Sequence, residues 1–243
     1  MTVERIKYQA GNVMGHGALV YNEKIKVRRP LLLVSPNWLG VTEPAIKRAA
    51  KMAGDKYIAF VACMYGEGKT CAGPPESAEW MMKVRADRVE GRKRIVAALN
   101  TLVNEADKRG IGDAKHKAAV GFCFGGGNVL ELARTGADID AAICLHGDLV
   151  TTMPAKKGDI KANVFVIHGS KDPVAPKKDR DALENELDAA GANWQMLDFG
   201  GRLHSFAEEE TMMPGVAEYH PGAAHQTYRM LDEFIQDAFN KKL

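Results

Sequence analysis

Apolar runs of strand length alternate with stretches of helical spacing along almost the whole chain. Residues 17–23 read as a strand after a glycine-rich turn, and residues 3–9 are expected to pair with it as a hairpin. Leu31-Leu32-Leu33-Val34 and Tyr57-Ile58-Ala59-Phe60-Val61-Ala62 are continuous apolar runs. A strand without polar alternation is one covered on both faces. A helix is expected from Thr42 or Glu43 to about Gly54, with Pro44 tolerated in its first turn. Residues 66–76 are rich in glycine and proline and read as a loop. One long helix is expected over 77–108, with Ile95, Leu99 and Leu102 on its inner face. The second half repeats this logic. Strands are expected at 118–122, 141–145, 164–167 and 194–199. Helices are expected over 128–134, 177–190 and 222–239. Such alternation predicts an α/β fold with a mostly parallel central sheet and helices on both faces.

Composition narrows the function classes. The chain has 243 residues, 46% hydrophobic and 26% charged. At that size a fold buries roughly 70–75% of the unfolded surface and needs no metal or disulfide staple. Without repeats or linkers, residues 1–243 read as a single domain. Thirty-three basic against 31 acidic residues leave a net charge of +2, so no broad basic field invites nucleic acid. No apolar run reaches 18 residues, so no membrane partner is expected. The N-terminal residues lack a signal-peptide pattern, and a cytoplasmic location is expected. Cys63, Cys71, Cys123 and Cys144 form no CxxC pair and suit a reducing compartment.

The densest chemistry lies in Val120-Gly121-Phe122-Cys123-Phe124-Gly125-Gly126-Gly127. Here glycines stand two residues either side of a nucleophilic side chain, between a buried strand and a helix. The turn is too sharp for bulky neighbours, and the helix that follows aims its positive end at the sulfur, favouring thiolate. Most free cysteines are small buried hydrophobes, and Cys63 and Cys144, inside strand patterns, keep that reading. Cys71 is expected to be exposed in its loop.

A thiol nucleophile needs a base, and the base needs an orienting acid. His204 follows the strand ending at Phe199, at a carboxyl strand end where ligands collect in open α/β sheets. Asp172, in His168-Gly169-Ser170-Lys171-Asp172-Pro173, follows the strand before it. His168 is expected to pack or hydrogen-bond nearby, and His225 to lie on the surface. The oxyanion hole needs two backbone N–H groups. Phe124 and Trp38 are the expected donors, and the Trp38 indole could also wall the acyl pocket.

Together these residues resemble the dienelactone hydrolase family of the α/β-hydrolase fold over about residues 17–240. The marks are Gly121 to Gly126 around Cys123, His168-Gly169 with Asp172, His204-Ser205-Phe206, and Met64-Tyr65-Gly66. The resemblance implies a Cys123–His204–Asp172 triad that hydrolyses esters or lactones without metal or organic cofactor, with Trp38 and Phe124 as oxyanion donors. Three positions depart from the family. Asn37 stands where the family has a glutamate that engages the thiol. Glu67 and Glu208 stand where it has two arginines that hold a substrate carboxylate. Asn37, Trp38, Glu67 and Glu208 are therefore the expected substrate-pocket residues, and a neutral ester or lactone is the expected substrate.

A phosphotriester is the alternative substrate, since a thiolate beside a donor-lined hole can attack phosphorus. A non-catalytic ligand-binding protein is the rival class. Gly66-Glu67-Gly68-Lys69-Thr70 mimics the end of a phosphate loop but has Cys63 where the first glycine is required. The basic stretch Arg85, Arg88, Arg92, Lys93 and Arg94 reads as a solvated helix face. An apolar face on the last helix leaves room for a homodimer, and residues 211–221 for a lid.

Overall fold

The computed structural model describes residues 1–243. They divide into two compact units, Met1–Ala119 and Val120–Leu243.

The first unit opens with the expected hairpin, longer than the apolar pattern suggests. Strand β1 (Thr2–Ala10) pairs antiparallel with β2 (Val13–Tyr21) around a two-residue turn whose Gly11 adopts φ +60. Glycine meets that left-handed requirement at no steric cost. β2 pairs antiparallel with β4 (Ile58–Val61), and β4 pairs parallel with β3 (Arg29–Ser35). The strand order is β1-β2-β4-β3-β5, where β5 spans Gly112–Phe122 and ends in the second unit. Leu31 to Val34 and Ile58 to Val61 are fully buried, as their unbroken apolar runs require. Helix α1 (Glu43–Ala53) begins at Thr42, whose hydroxyl accepts the Ala45 N–H at 3.4 Å.

The long helix expected over 77–108 is two: α2 (Glu76–Ala86) and α3 (Arg88–Lys108). Asp87 separates them. Its backbone leaves helical geometry and its carboxylate accepts the Glu90 N–H at 2.9 Å, so local capping outcompetes helix continuation. The basic stretch is only partly solvated. Arg88 and Glu90 are buried, and Arg94 donates to the Met64 carbonyl and to Asn12 Oδ1, both at 2.8 Å. Cys71 is buried rather than exposed, with its N–H donated to the Leu39 carbonyl at 3.0 Å.

In the second unit the strand order is β5-β6-β7-β8, with β6 (Ala141–Leu145), β7 (Asn163–Gly169) and β8 (Trp194–Phe199). The β6–β7 and β7–β8 pairs are parallel. Helix α4 (Phe124–Arg134) is buried along its whole length. Helix α5 (Lys177–Ala190) lies between β7 and β8 in sequence. A short hairpin of β9 (Met212–Met213) and β10 (Ala217–Glu218) precedes helix α6 (Pro221–Phe239). His220 caps α6 by accepting the Ala223 N–H at 3.1 Å, and His225 is exposed on that helix. No helix in the chain is long and apolar enough to cross a membrane.

Candidate active site

Cys123 occupies the single residue between β5 and α4, at φ +53 and ψ −121. A side chain there is strained by about 1–3 kcal/mol. The turn is so tight that a Cβ on Gly121 would lie 2.0 Å from the Gly125 carbonyl oxygen, and one on Gly126 would lie 2.8 Å from Gly147 Cα. Hence neither Gly121 nor Gly126 can carry a side chain without moving backbone. The Cys123 N–H donates to the Leu145 carbonyl at 3.1 Å, and its carbonyl accepts the Gly126 N–H at 2.9 Å. The residue is half-buried, unlike Cys63, Cys71 and Cys144, which are buried. Burial pushes the Cys144 thiol up to about 12 and raises that of Cys71. Neither is a source of thiolate near neutral pH. Phe124 opens α4, so its N–H lies in the first turn, outside the helix's own hydrogen-bond ladder and at its positive end.

Asp172 and His204 come together. His204 Nδ1 and Asp172 Oδ2 are 2.8 Å apart, and both side chains are buried. Asp172 Oδ1 accepts the N–H groups of Val174 at 2.8 Å and Ala175 at 3.2 Å. The carboxylate is thus fixed from both oxygens. Burial alone would raise its pKa, but bonds from His168 and His204 outweigh it and hold Asp172 well below the usual carboxylate range. Burial likewise pulls His204 down. The charge on the Cys123 sulfur, the Asp172 bond and the contact with Cys123 outweigh it and hold His204 well above the usual imidazole value. With Nδ1 committed to Asp172, Nε2 is the ring nitrogen left for proton transfer. An imidazolium on His204, beside an ionised Asp172, is the state these shifts favour.

Two further histidines belong to this cluster. His146 directly follows β6 and His168 is the next-to-last residue of β7, each one residue beyond the paired Leu145 and Ile167 of these adjacent parallel strands and each followed by glycine. His168 Nδ1 lies 3.7 Å from Asp172 Oδ2, and burial lowers its pKa, so it stays neutral. This is the neighbouring role expected of it. No catalytic motif distinguishes His146, although the repeated apolar-apolar-His-Gly ending marks both. It has no exposed surface. Its Nδ1 accepts the Cys123 N–H at 3.3 Å, and its ring meets that of His204 edge-to-face at 5.5 Å.

The expected substrate-pocket residues divide between the units. Glu208, in the second, has no exposed surface. Its Oε1 lies 3.9 Å from His146 Nδ1. Its carboxylate faces the buried His146 ring, inside the cluster that holds His204 and the Cys123 backbone. In the first unit, Trp38 is half-buried and its carbonyl accepts the Tyr65 hydroxyl at 2.8 Å. Asn37 is buried, and its Oδ1 accepts the Leu39 N–H at 3.0 Å. Glu67 is exposed at φ +48.

Comparison with known proteins places this geometry. The family model of the dienelactone hydrolases matches residues 17–239. A solved structure named m3DLH is 30% identical, with a TM-score of 0.90 and 98% of each chain covered. The dienelactone hydrolase-like promiscuous phosphotriesterase P91 from metagenomic libraries is 29% identical, with a TM-score of 0.87 and 98% of each chain covered. A curated Yersinia pestis relative with a provisional carboxymethylenebutenolidase name is 26% identical over 219 residues, covering 85% of this chain and 78% of that one.

Proposed function

The chain belongs to the dienelactone hydrolase family, a group of ester- and lactone-hydrolysing enzymes with the α/β-hydrolase fold, and from that premise we propose that Cys123, His204 and Asp172 are its catalytic triad. The observation that carries the proposal is the buried 2.8 Å His204–Asp172 bond, formed by an acid and a base that follow the strained Cys123 elbow in chain order. In this reading the Cys123 thiolate attacks the substrate carbonyl carbon, and the oxyanion that forms takes the Phe124 N–H. The carbon–oxygen bond then breaks, and the His204 imidazolium gives its proton to the departing alkoxide. A water that loses its proton to His204 next attacks the thioester. The acid leaves, and the sulfur returns to thiolate beside imidazolium.

The substrate proposed is a neutral ester or lactone. Glu67 and Glu208 stand where the family resemblance puts two arginines, so neither position offers a cation to a substrate carboxylate. A second reading, phosphotriester hydrolysis by the same thiolate, is favoured by the 29% identity to a protein named for that promiscuous activity. Its hard step would be hydrolysis of the phospho-cysteine.

A panel of neutral p-nitrophenyl esters, lactones, carboxylate-bearing lactones and phosphotriesters tests both readings against the Cys123→Ala variant. Neutral esters or lactones are expected to give the largest kcat/KM, and Cys123→Ala to lose at least about 10⁴-fold in kcat. Preference for the carboxylate-bearing lactones would contradict the substrate proposal. Unchanged turnover in Cys123→Ala would remove the triad.

A further inference from the structure

We propose that His146 is a positioning residue for the nucleophile, its Nδ1 lone pair holding the Cys123 amide and its ring setting the plane of His204. The proposal rests on Cys123 being the nucleophile.

One nitrogen faces two groups that ask opposite things of it. The Cys123 N–H, 3.3 Å away, needs a bare Nδ1. Glu208 Oε1, 3.9 Å away, would suit a protonated one. The shorter contact is within hydrogen-bond range and the longer is not. Nδ1 is therefore the acceptor, and Nε2 carries the ring proton. The Cys123 amide is then shared between two acceptors, the Leu145 carbonyl at 3.1 Å and His146 at 3.3 Å. Both act on the residue with φ +53, whose amide direction determines where Sγ points. The His146 ring cannot drift. Phe206 meets it edge-to-face at 5.5 Å and Phe122 lies 6.1 Å away. Its backbone N–H is donated to the Ile167 carbonyl at 2.7 Å. On its other side His204 meets it edge-to-face. One buried ring thus touches the nucleophile's backbone and the base's imidazole, and misplacement of reacting groups by about 1 Å costs about 10²-fold in rate.

The test compares His146→Phe, which keeps an aromatic ring and deletes the acceptor, with His146→Asn, whose Oδ1 stands near where Nδ1 stands. His146→Phe is expected to lower kcat about 10- to 100-fold with KM within about twofold, and His146→Asn to recover most of the loss. Tm is measured beside kcat, because asparagine tolerates the φ of +37 at this position better than phenylalanine does. All rates are taken well below either Tm. An unchanged kcat in His146→Phe, or equal loss in both variants, would overturn the proposal. Ring ¹⁵N shifts of the wild-type enzyme give a reading that needs no variant to fold. A bare Nδ1 on His146 is expected, and a protonated one contradicts the assignment. Iodoacetamide separates the two levels: if alkylation of Cys123 leaves wild-type turnover intact, the nucleophile reading fails; if alkylation abolishes turnover while His146→Phe is fully active, only the role of His146 fails.

Discussion

The two ends of helix α4 bury polar groups in opposite ways. At its C-terminal end Arg134 donates through Nε and Nη2 to both oxygens of Glu186, at 2.7 and 2.8 Å, and through Nη1 to Glu131 at 3.1 Å. Glu186 also accepts the Ala155 N–H at 2.7 Å. Burial opposes the guanidinium charge, yet the Glu186 bond together with the charges of Glu131 and Glu186 outweighs it and holds the Arg134 pKa above its usual value. At the N-terminal end the backbone of Cys123 is strained. Contacts around the triad include 3.3 Å from Cys123 to His146, 3.7 Å from Asp172 to His168 and 3.9 Å from Glu208 to His146. One end is a closed, bidentate ion pair of the kind that fixes structure. The other keeps strain and longer contacts, as a site must whose groups exchange protons and partners during a reaction.

The comparison breaks most visibly at the acid. Asp172→Asn deprives His204 of the carboxylate that orients it and raises its pKa. The kcat is expected to fall about 10³- to 10⁴-fold, and the alkaline limb of kcat/KM to move to lower pH, because imidazolium is lost sooner. The stability sign is separate. Asp172 has a depressed folded pKa, so its contribution is full above the ordinary carboxylate value and fades as pH falls through the depressed one. The Tm gap between wild type and Asp172→Asn should therefore narrow in acid. A gap that widens there would contradict the assignment.

At the opposite end, Glu186→Gln leaves Arg134 buried without its main counter-charge. Denaturant unfolding is expected to show a loss of about 3 kcal/mol, while kcat measured under native conditions stays within about twofold. A large loss of kcat in the folded variant would show that the two ends are not independent. The smallest effect probes strain directly. Cys123→Gly relieves the positive φ and is expected to abolish turnover yet raise stability by about 1 kcal/mol. A stability loss would mean that the elbow is unstrained or that the thiol contributes packing.

Much of this was legible in the residues. Unbroken apolar runs such as Leu31 to Val34 reveal buried strands without any partner being known. The spacing of Gly121, Cys123 and Gly125 reveals the elbow, because only one backbone geometry demands it. The order Cys123, Asp172, His204 singles out the acid and base proposed to accompany it, and those two side chains do meet at 2.8 Å. Local competition was harder to read. Asp87 divides a helical pattern by capping α3, which apolar periodicity does not register. The burial of Glu208 was illegible because a glutamate four residues after His204 can face either way, and its neighbours include His146, 62 residues earlier in the chain. Cys71 is buried in a loop whose backbone bonds to Leu39, a pairing that no motif encodes.

The central claim is that a single sulfur, that of Cys123, carries turnover. Stepwise alkylation with iodoacetamide, followed by intact-mass and peptide-mass analysis beside residual p-nitrophenyl ester hydrolysis, tests it most directly. The account predicts that activity falls in proportion to modification of Cys123 and reaches zero at one label per chain, with Cys63, Cys71 and Cys144 unlabelled. Activity that survives full labelling of Cys123, or that tracks another cysteine, would contradict it.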